Sequence, residues 1–416
     1  MTKLAYVRDQ HGSCRLNPKY RRAIIIVFAT ILIVQTVFLS LPAQDPSPRT
    51  FADFDAFYLA AQMVWRGEID QAYRFATLTR AQEAFFGAPR FLPWTYPPQF
   101  SLFIAPLAFL PFGAAYGLFT ATTLAAYLVT LKRIAGEDFT VVLLMISPAI
   151  GITIVCGQNG FLVGTLIGLT CLGLEERRAS AGLPLGLMII KPHLAVAFAV
   201  YTLITRRWST VFIATTTVTT SSVLATALLG PEIWAAFYNG MGEARDFLEK
   251  GMYPLFRMIS PYAALRSFGL SATTAFTAQV LVAVLVLAMV CLAVRRGFAL
   301  RQSLGLSAIA SLLISPYAYD YDLPIFGIGL ALLLPNLRQL GNEREQAALY
   351  ILSFLTGIFG LAQTFIRLKI GDNMALSAAG LTLIAIFGLT WLILGRGDTL
   401  LHGSGRNPVD SGTCGD

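Results

Sequence analysis

Two carboxylates, Asp53 and Asp55, stand two residues apart in the aromatic stretch 51–58. A carboxylate set among aromatic side chains at a membrane surface is partly desolvated and can act as a general base. The alternative interpretation is that each is an ordinary solvated loop acid. We take Asp53 and Asp55 as the candidate catalytic residues.

Lys191 is the most isolated charge in the chain, because apolar residues fill 183–190 before it and 194–200 after it. An ionisable residue within a membrane is costly and indicates function. Together with His193, Lys191 can bind a phosphate as a cation and a hydrogen-bond donor. Alternatively, Lys191 extends to an interface and His193 caps a helix end.

The segment 315–322 interrupts two apolar runs with two acids and three tyrosines. Ligand sites combine aromatic faces with a few placed polar groups, so Tyr319, Asp320 and Asp322 are candidate sugar-binding residues. An interfacial aromatic belt would explain the tyrosines but not the paired acids.

Weaker candidates for substrate binding lie elsewhere. Gln158 and Asn159 can hydrogen-bond sugar hydroxyls, although the chemistry of a tight turn between Gly157 and Gly160 also explains them. Aromatic residues near the candidate acids can line the same site or anchor the chain at the interface, and the loop 230–271 is interpreted mostly as a solvated cover. Its Arg257 is a weak phosphate candidate, and the aromatic candidates are Tyr58 and Tyr96.

The composition places all of these residues in a membrane protein. The chain is 56% hydrophobic and 13% charged, with a mean hydropathy of +0.64, whereas soluble proteins carry about 25% charged residues. A soluble enzyme, a disordered protein and a disulfide scaffold are therefore excluded. The net charge of +8 indicates topology rather than nucleic-acid binding. The five scattered cysteines support neither a disulfide framework nor a zinc site. No dense carboxylate cluster argues for another metal, and no metal and no cofactor are predicted.

The apolar runs predict an all-α polytopic membrane protein with about ten full spans. A basic N-terminus, 1–22, is expected in the cytoplasm, and the first span covers about 23–41. Residues 43–112 form a large outer catalytic loop with amphipathic helices near 55–66 and 76–86 and a short apolar run at 98–109. A second outer loop covers 230–271, and the tail 396–416 is cytoplasmic. Further apolar runs lie near 113–131, 139–156, 160–174, 208–229, 272–294, 302–316, 322–336, 347–366 and 374–395.

The segment 179–205 is predicted to be a re-entrant hairpin with Lys191 near its tip. One full span here would move the later arginines outside, against the positive-inside rule. Irregular backbone is tolerated at membrane depth where it is buried in protein or lines a wet cavity. The hairpin therefore predicts a cavity, on the side that faces the periplasm or exterior of an inner (plasma) membrane.

Taken in order, five segments resemble glycosyltransferase family 87, of the GT-C superfamily. They span roughly residues 50–325: Asp53-Phe-x-x-Phe57-Tyr58, Tyr96-Pro-Pro98 with Ala105 to Pro111, Gly157-Gln-Asn159, Ile190-Lys-Pro-His193, and Ser315-Pro-Tyr-x-x-Asp320-Tyr-Asp322-Leu323.

The resemblance implies a GT-C-like hexosyltransferase that moves a sugar, often mannose, from a polyprenyl-phosphate donor to a lipid or glycan acceptor. Asp53 matches the family's acidic position in the first outer loop, and Asp55 is close enough to assist. His193 stands where the family often has Gln, which leaves its role open. Inverting transfer, with Asp53 as base and Lys191 at the leaving phosphate, is the implied mechanism.

Two other classes compete with a glycosyltransferase. A transporter or flippase of lipid-linked sugars would use Lys191 and the acids as a translocation path, but the halves show no convincing internal repeat. A structural protein of envelope biogenesis would not need a buried lysine. Membrane lipids are expected partners, and nucleic acid is not.

Overall fold

The computed structural model describes residues 6–8, 14–16, 18–41, 53–370 and 376–403 of the 416-residue chain. Parts of four predicted regions lie outside the described residues. These are most of the N-terminus before residue 18, 43–52 of the first loop, 374–375 of the last apolar run, and 404–416 of the tail.

The described residues are almost entirely helical, apart from a short antiparallel strand pair, β1 (Tyr6–Arg8) and β2 (Cys14–Leu16). Single 3₁₀ turns connect several of the helices. The α-helices are α1 (Pro18–Ser40), α2 (Asp53–Arg66), α3 (Ile69–Ala72), α4 (Phe75–Phe86), α5 (Pro98–Ile104), α6 (Phe112–Ala135), α7 (Phe139–Met145), α8 (Ser147–Cys156), α9 (Gly160–Glu175), α10 (Gly182–Leu187), α11 (Val196–Ile204), α12 (Trp208–Leu229), α13 (Glu232–Glu249), α14 (Pro261–Ser267), α15 (Ala272–Arg295), α16 (Leu300–Ile314), α17 (Pro324–Leu340), α18 (Glu343–Ile370) and α19 (Ala379–Gly403).

Six helical stretches among the described residues are long and apolar enough to cross a membrane. The prediction of about ten full spans is not confirmed, because the apolar runs near 139–156, 160–174, 302–316 and 322–336 form helices of at most 17 residues. A full span needs about 20 residues. The six stretches are Lys19–Ser40, Phe112–Met145, Trp208–Leu229, Ala272–Arg295, Glu343–Thr364 and Ala379–Arg396.

The short apolar helices form the protein interior. Helix α17 buries twelve of its 17 residues and packs against α6, α9 and α16. A helix that is apolar all round is buried by its neighbours. By contrast, only 6% of the most apolar window of α1 and of α12 is buried, so these two helices leave most of their apolar side chains uncovered by the rest of the protein.

The first loop contains the predicted amphipathic helices. Helices α2 and α4 coincide with the predicted 55–66 and 76–86 to within two residues at each end. The run 98–109 is short, as predicted, and consists of α5 followed by a 3₁₀ turn. Helix α2 inserts the rings of Phe54 and Phe57 into a cluster with Tyr116 and Phe100, which fixes Asp53 at the start of this helix.

The segment 179–205 follows the path of the predicted hairpin. In its first arm, Gly182 lies against the backbone of Thr210, and Gly186 against that of Ala214. In its second arm, Ile204 shares a cavity with Trp208 at the start of α12. Both ends therefore lie beside the N-terminal end of α12, and the chain reverses between them at 188–194.

The loop 230–271 is not mostly a solvated cover, which corrects the sequence interpretation. Helix α13 does have an exposed face, but the following turn and α14 are buried, with Met258 and Tyr262 no more than 1% exposed. The backbone of Ile259 donates a hydrogen bond to the Ala318 carbonyl. This pairing brings Arg257 next to the segment 315–322.

Candidate active site

A cavity of about 600 Å³ lies where α2, the hairpin tip, the 253–257 turn and the 317–321 segment meet. Ligand pockets for small molecules typically enclose about 300–1,000 Å³. Seven of the residues predicted to form the site line this cavity: Asp53, Tyr96, Gln158, Lys191, His193, Arg257 and Tyr319.

Arg257 joins two acids from distant parts of the chain. Its Nε and Nη2 atoms donate to the two carboxylate oxygens of Asp320, at 3.2 and 3.1 Å. Its Nη1 donates to Asp53 Oδ2 at 3.2 Å, and Nη2 also contacts the sulfur of Cys156 at 3.0 Å. Burial alone would lower the pKa of Arg257, but the neighbouring Asp320 and Asp53 raise it above its ordinary value. Arg257 is therefore a fixed cation.

Lys191 forms a second buried ion pair. Its Nζ donates to Asp322 Oδ1 at 2.6 Å, and the two side chains are 8% and 1% exposed. The other oxygen of Asp322 accepts the backbone N–H of Tyr319 at 3.1 Å. Lys191 Nζ also lies 4.8 Å from the ring centre of Tyr321 and 5.9 Å from that of Tyr96, within the range of cation–π attraction.

One 3₁₀ turn, Asp320–Asp322, holds both cations of the site. Asp320 binds Arg257, and Asp322 binds Lys191. Between them, the Tyr321 ring lies within 5.6 Å of the Arg257 guanidinium as well. Burial raises the pKa of Asp320, while Arg257 opposes that rise.

The aromatic surface of the cavity is built from the same turn. The rings of Tyr319 and Tyr321 are stacked with centroids 5.1 Å apart and an interplanar angle of 5°. Burial also raises the pKa of both hydroxyls far above the usual range, so they stay protonated. Two parallel rings with fixed donors provide a platform for the apolar face and hydroxyls of a sugar.

The Gly157–Gly160 turn presses against this platform. A Cβ atom on Gly160 would lie 1.7 Å from the Tyr321 carbonyl oxygen, so only glycine fits there. Gln158 faces the cavity and accepts a hydrogen bond from the Tyr96 hydroxyl at 2.9 Å. Asn159 is fully buried and does not line the cavity. Its side-chain oxygen and nitrogen are without hydrogen-bond partners among the described residues.

Five predicted site residues do not line the cavity: Asn159, Asp320 and Asp322, which are described above, and Asp55 and Tyr58. Asp55 is 2% exposed and forms a buried ion pair with Arg90, and Arg90 itself lines the cavity wall. Tyr58 donates from its hydroxyl to the Leu110 carbonyl at 2.9 Å, which ties α2 to the end of the short apolar run. The two adjacent acids therefore have different surroundings: Asp53 lines the cavity and Asp55 does not.

Sequence reasoning missed three contributors to the site: Arg90, Cys156 and Tyr321. The sequence around Arg90 does not indicate its role, because its ion-pair partner, Asp55, is 35 positions away. Tyr321 was visible in the tyrosine-rich segment but was passed over for Tyr319. No group of three or more His, Cys, Asp or Glu side chains that could hold a metal ion occurs within the described ranges. The absence of a metal or cofactor stays a prediction.

A helical multi-pass membrane protein with a polar, aromatic-lined cavity at one end is the class that this fold defines. The chain belongs to glycosyltransferase family 87, whose profile matches residues 94–316, over half of its length. The resemblance drawn from the sequence motifs is thereby confirmed. No curated protein and no solved structure matches the chain. The matched region contains Tyr96, Gln158, Lys191 and Arg257, whereas Asp53, Asp320 and Asp322 lie beyond its two ends.

Proposed function

We propose that this glycosyltransferase moves a hexose such as mannose from a polyprenyl-phosphate donor to a hydroxyl of a lipid or glycan acceptor. The observation that carries the proposal is one cavity lined by a carboxylate, Asp53, and by two cations, Lys191 and Arg257. A base and a cation at the leaving phosphate are the two elements that transfer from a sugar phosphate requires.

The proposed reaction is a single displacement. The Asp53 carboxylate takes the proton of the acceptor hydroxyl while the acceptor oxygen bonds to the anomeric carbon. The bond from that carbon to the phosphate oxygen breaks, and its electron pair leaves with the polyprenyl phosphate. Lys191 stabilises this developing charge, and Arg257 holds Asp53 in position. One in-line displacement inverts the anomeric configuration.

The surroundings of the cavity fit a lipid-linked sugar. The charged and tyrosine residues described above suit the sugar phosphate, and the cavity lining also includes apolar residues, among them Phe91, Phe237 and Met241. A prenyl chain that leaves the cavity along these residues packs against apolar surface. The hydrophobic effect favours that burial. A nucleotide sugar would instead bring a base and ribose with many polar groups to satisfy.

We further propose that the cavity faces the non-cytoplasmic side of an inner (plasma) membrane and that both termini are cytoplasmic. The distribution of basic residues supports this orientation. Residues 1–22 are strongly basic, and the arginines at 177, 206 and 295 lie at helix ends and do not line the cavity. Cytoplasmic loops carry such an excess of basic residues.

Sugar transfer in isolated membranes tests the proposal. Radiolabelled polyprenyl-phosphate mannose is supplied to membranes that contain the wild type, Asp53→Asn or Asp70→Asn. Loss of a general base lowers the rate about 10²–10⁴-fold, so Asp53→Asn should lose transfer at unchanged protein level. Asp70→Asn is the matched control, because Asp70 lies in α3, only pairs with its neighbour Gln71, and does not line the cavity.

The outcomes separate the donor, the base and the class of protein. Full activity in Asp53→Asn would refute its role as base. No transfer by the wild type with mannose, but transfer with another polyprenyl-linked hexose, would change the sugar alone. Movement of intact labelled donor across sealed vesicles, without any new glycoside, would replace the transferase by a flippase.

A further inference from the structure

A second cavity, of about 380 Å³, lies at the predicted cytoplasmic end of α11, α12 and α15. Its walls include Leu203, Val294 and Trp208, and two arginines, Arg206 and Arg295, also line it. The proposed transfer reaction does not use this cavity, which lies at the base of the hairpin whose tip carries Lys191. Trp208 is 60% exposed, as expected for a ring at a membrane–water interface.

Arg206 adopts a backbone conformation that glycine usually supplies. Its φ angle is +54°, in the left-handed region. Its N–H bonds the carbonyl three residues earlier, and the next N–H bonds the carbonyl five residues back. The same turn ends four other helices, and each of those has glycine at this position: Gly67, Gly251, Gly269 and Gly297.

Arginine in such a turn costs free energy that glycine does not. The chain therefore has a long side chain at position 206 although its backbone conformation is strained. Backbone strain of this kind is often found at functional sites. Arg177 has the same turn and the same φ angle of 54° but does not line the cavity. The two positions thus differ in surroundings while sharing their backbone geometry.

We propose that this second cavity binds an anionic phospholipid of the cytoplasmic leaflet. Within the described part of the chain, neither Arg206 nor Arg295 makes a hydrogen bond or ion pair through its side chain. Two arginines that line a largely apolar cavity match a phosphate above an acyl chain, because guanidinium binds phosphate oxygens in pairs. The bound lipid connects the turn between α11 and α12 to the end of α15, and so stabilises the base of the hairpin.

The thermal stability of the full-length protein in a neutral detergent tests this site. Phosphatidylglycerol should raise the unfolding temperature in a saturable manner, whereas phosphatidylcholine and free glycerol phosphate should not. In Arg206→Gly, the unfolding temperature without lipid should equal or exceed that of the wild type, because the backbone strain is relieved. The shift caused by phosphatidylglycerol should fall to less than a third. Arg295→Gln should lose the shift as well, without a change of backbone.

Arg177→Gly is the matched control, since it removes an arginine and the same strain outside the cavity. It should keep the full shift with phosphatidylglycerol. An unaltered shift in both Arg206→Gly and Arg295→Gln would overturn the proposal. An equal loss in Arg177→Gly would also overturn it, because diffuse surface charge would then suffice. Equal stabilisation by phosphatidylcholine would show that the charge is not recognised, and equal stabilisation by glycerol phosphate that the apolar cavity is not used.

Discussion

Replacement of Lys191 by methionine separates the two roles that this residue has in the structure. Methionine keeps the length and apolar stem of the side chain but removes the charge. The buried carboxylate of Asp322 then loses its partner at 2.6 Å, while it keeps its bond from the Tyr319 N–H. Breaking a buried pair costs about 3–5 kcal/mol, and we expect the lower end of that range because of this remaining bond.

The double variant Lys191→Met/Asp322→Asn removes both charges together. A buried pair replaced by neutral groups of similar volume is often close to neutral in stability, so the double variant should unfold near the wild-type temperature. Its transfer rate should nevertheless stay about 10²–10³-fold low, which is the usual effect of removing one donor to a developing oxyanion. Stability and activity are thus expected to respond differently.

The assay is thermal unfolding in detergent, followed by tryptophan fluorescence, with transfer measured on the same preparations. Arg245→Met is the control for loss of an ordinary ion pair, because the Arg245–Glu249 pair is exposed. It should change neither quantity measurably. A double variant that regains both stability and wild-type transfer would refute the role of Lys191 at the phosphate, and would reduce it to a structural partner of Asp322.

Two further changes test how the site is held. Asp55→Asn leaves the buried Arg90 without its charged partner, so the protein should unfold at a clearly lower temperature. Transfer per folded molecule should fall far less than in Asp53→Asn. An equal loss of transfer per folded molecule would instead make Asp55 catalytic. Gly160→Ala places a methyl group against the Tyr321 carbonyl. It should lower the free energy of unfolding by about 1–3 kcal/mol and abolish most of the transfer activity. The control Gly151→Ala, whose methyl group meets no atom within 4 Å, should change neither stability nor transfer.

Much of the fold follows from short-range pattern. The helical period predicted α2 and α4 correctly, and the apolar length identified α12 and α15 almost to the residue. The basic residues on both sides of 179–205, together with the later arginines, suggested a hairpin, and the described chain reverses at 188–194. The helix predictions depend on neighbours within one element, and this is the information that a single sequence contains.

The predicted count of full spans is not confirmed where short buried helices resemble spanning ones. The run 139–156 was predicted to be continuous, but the helix is interrupted at Ile146. The next helix, α8, begins at Ser147 and has Pro148 in its first turn. Proline is favoured there because its missing N–H is not needed in the first helical turn. Periodicity cannot distinguish a short buried helix from a span when both are uniformly apolar.

The ion pairs of the site were beyond prediction, because their partners are 63, 131 and 204 positions apart. The charges of the loop 230–271 balance within the loop, so the loop was interpreted mostly as a solvated cover and Arg257 only as a weak phosphate candidate. It stands between Phe256 and Met258, however, and an arginine enclosed by apolar residues is the same signal that identified Lys191. Applied consistently, that signal would have placed Arg257 in the interior.

The charges around the first cavity also limit how a donor can bind. Asp53, Asp320 and Asp322 face only Lys191 and Arg257 among the groups discussed, and the Arg90–Asp55 pair is balanced. The cluster thus carries one excess negative charge when all three acids are ionised. The carboxylates orient the two cations and pair with both of them. A buried charge without a partner would be costly.

A donor phosphate adds a further negative charge, so it cannot simply join this cluster. It has to share Lys191 with Asp322, whose second oxygen stays anchored by the Tyr319 N–H. Lys191 has three N–H donors, and Asp322 uses one of them, so two donors remain for a phosphate. In the proposed mechanism, the Asp320–Asp322 turn therefore positions Lys191 to bind the phosphate. This explains why Lys191 and Asp322 must be changed together before the contribution of either to transfer can be distinguished from its contribution to stability.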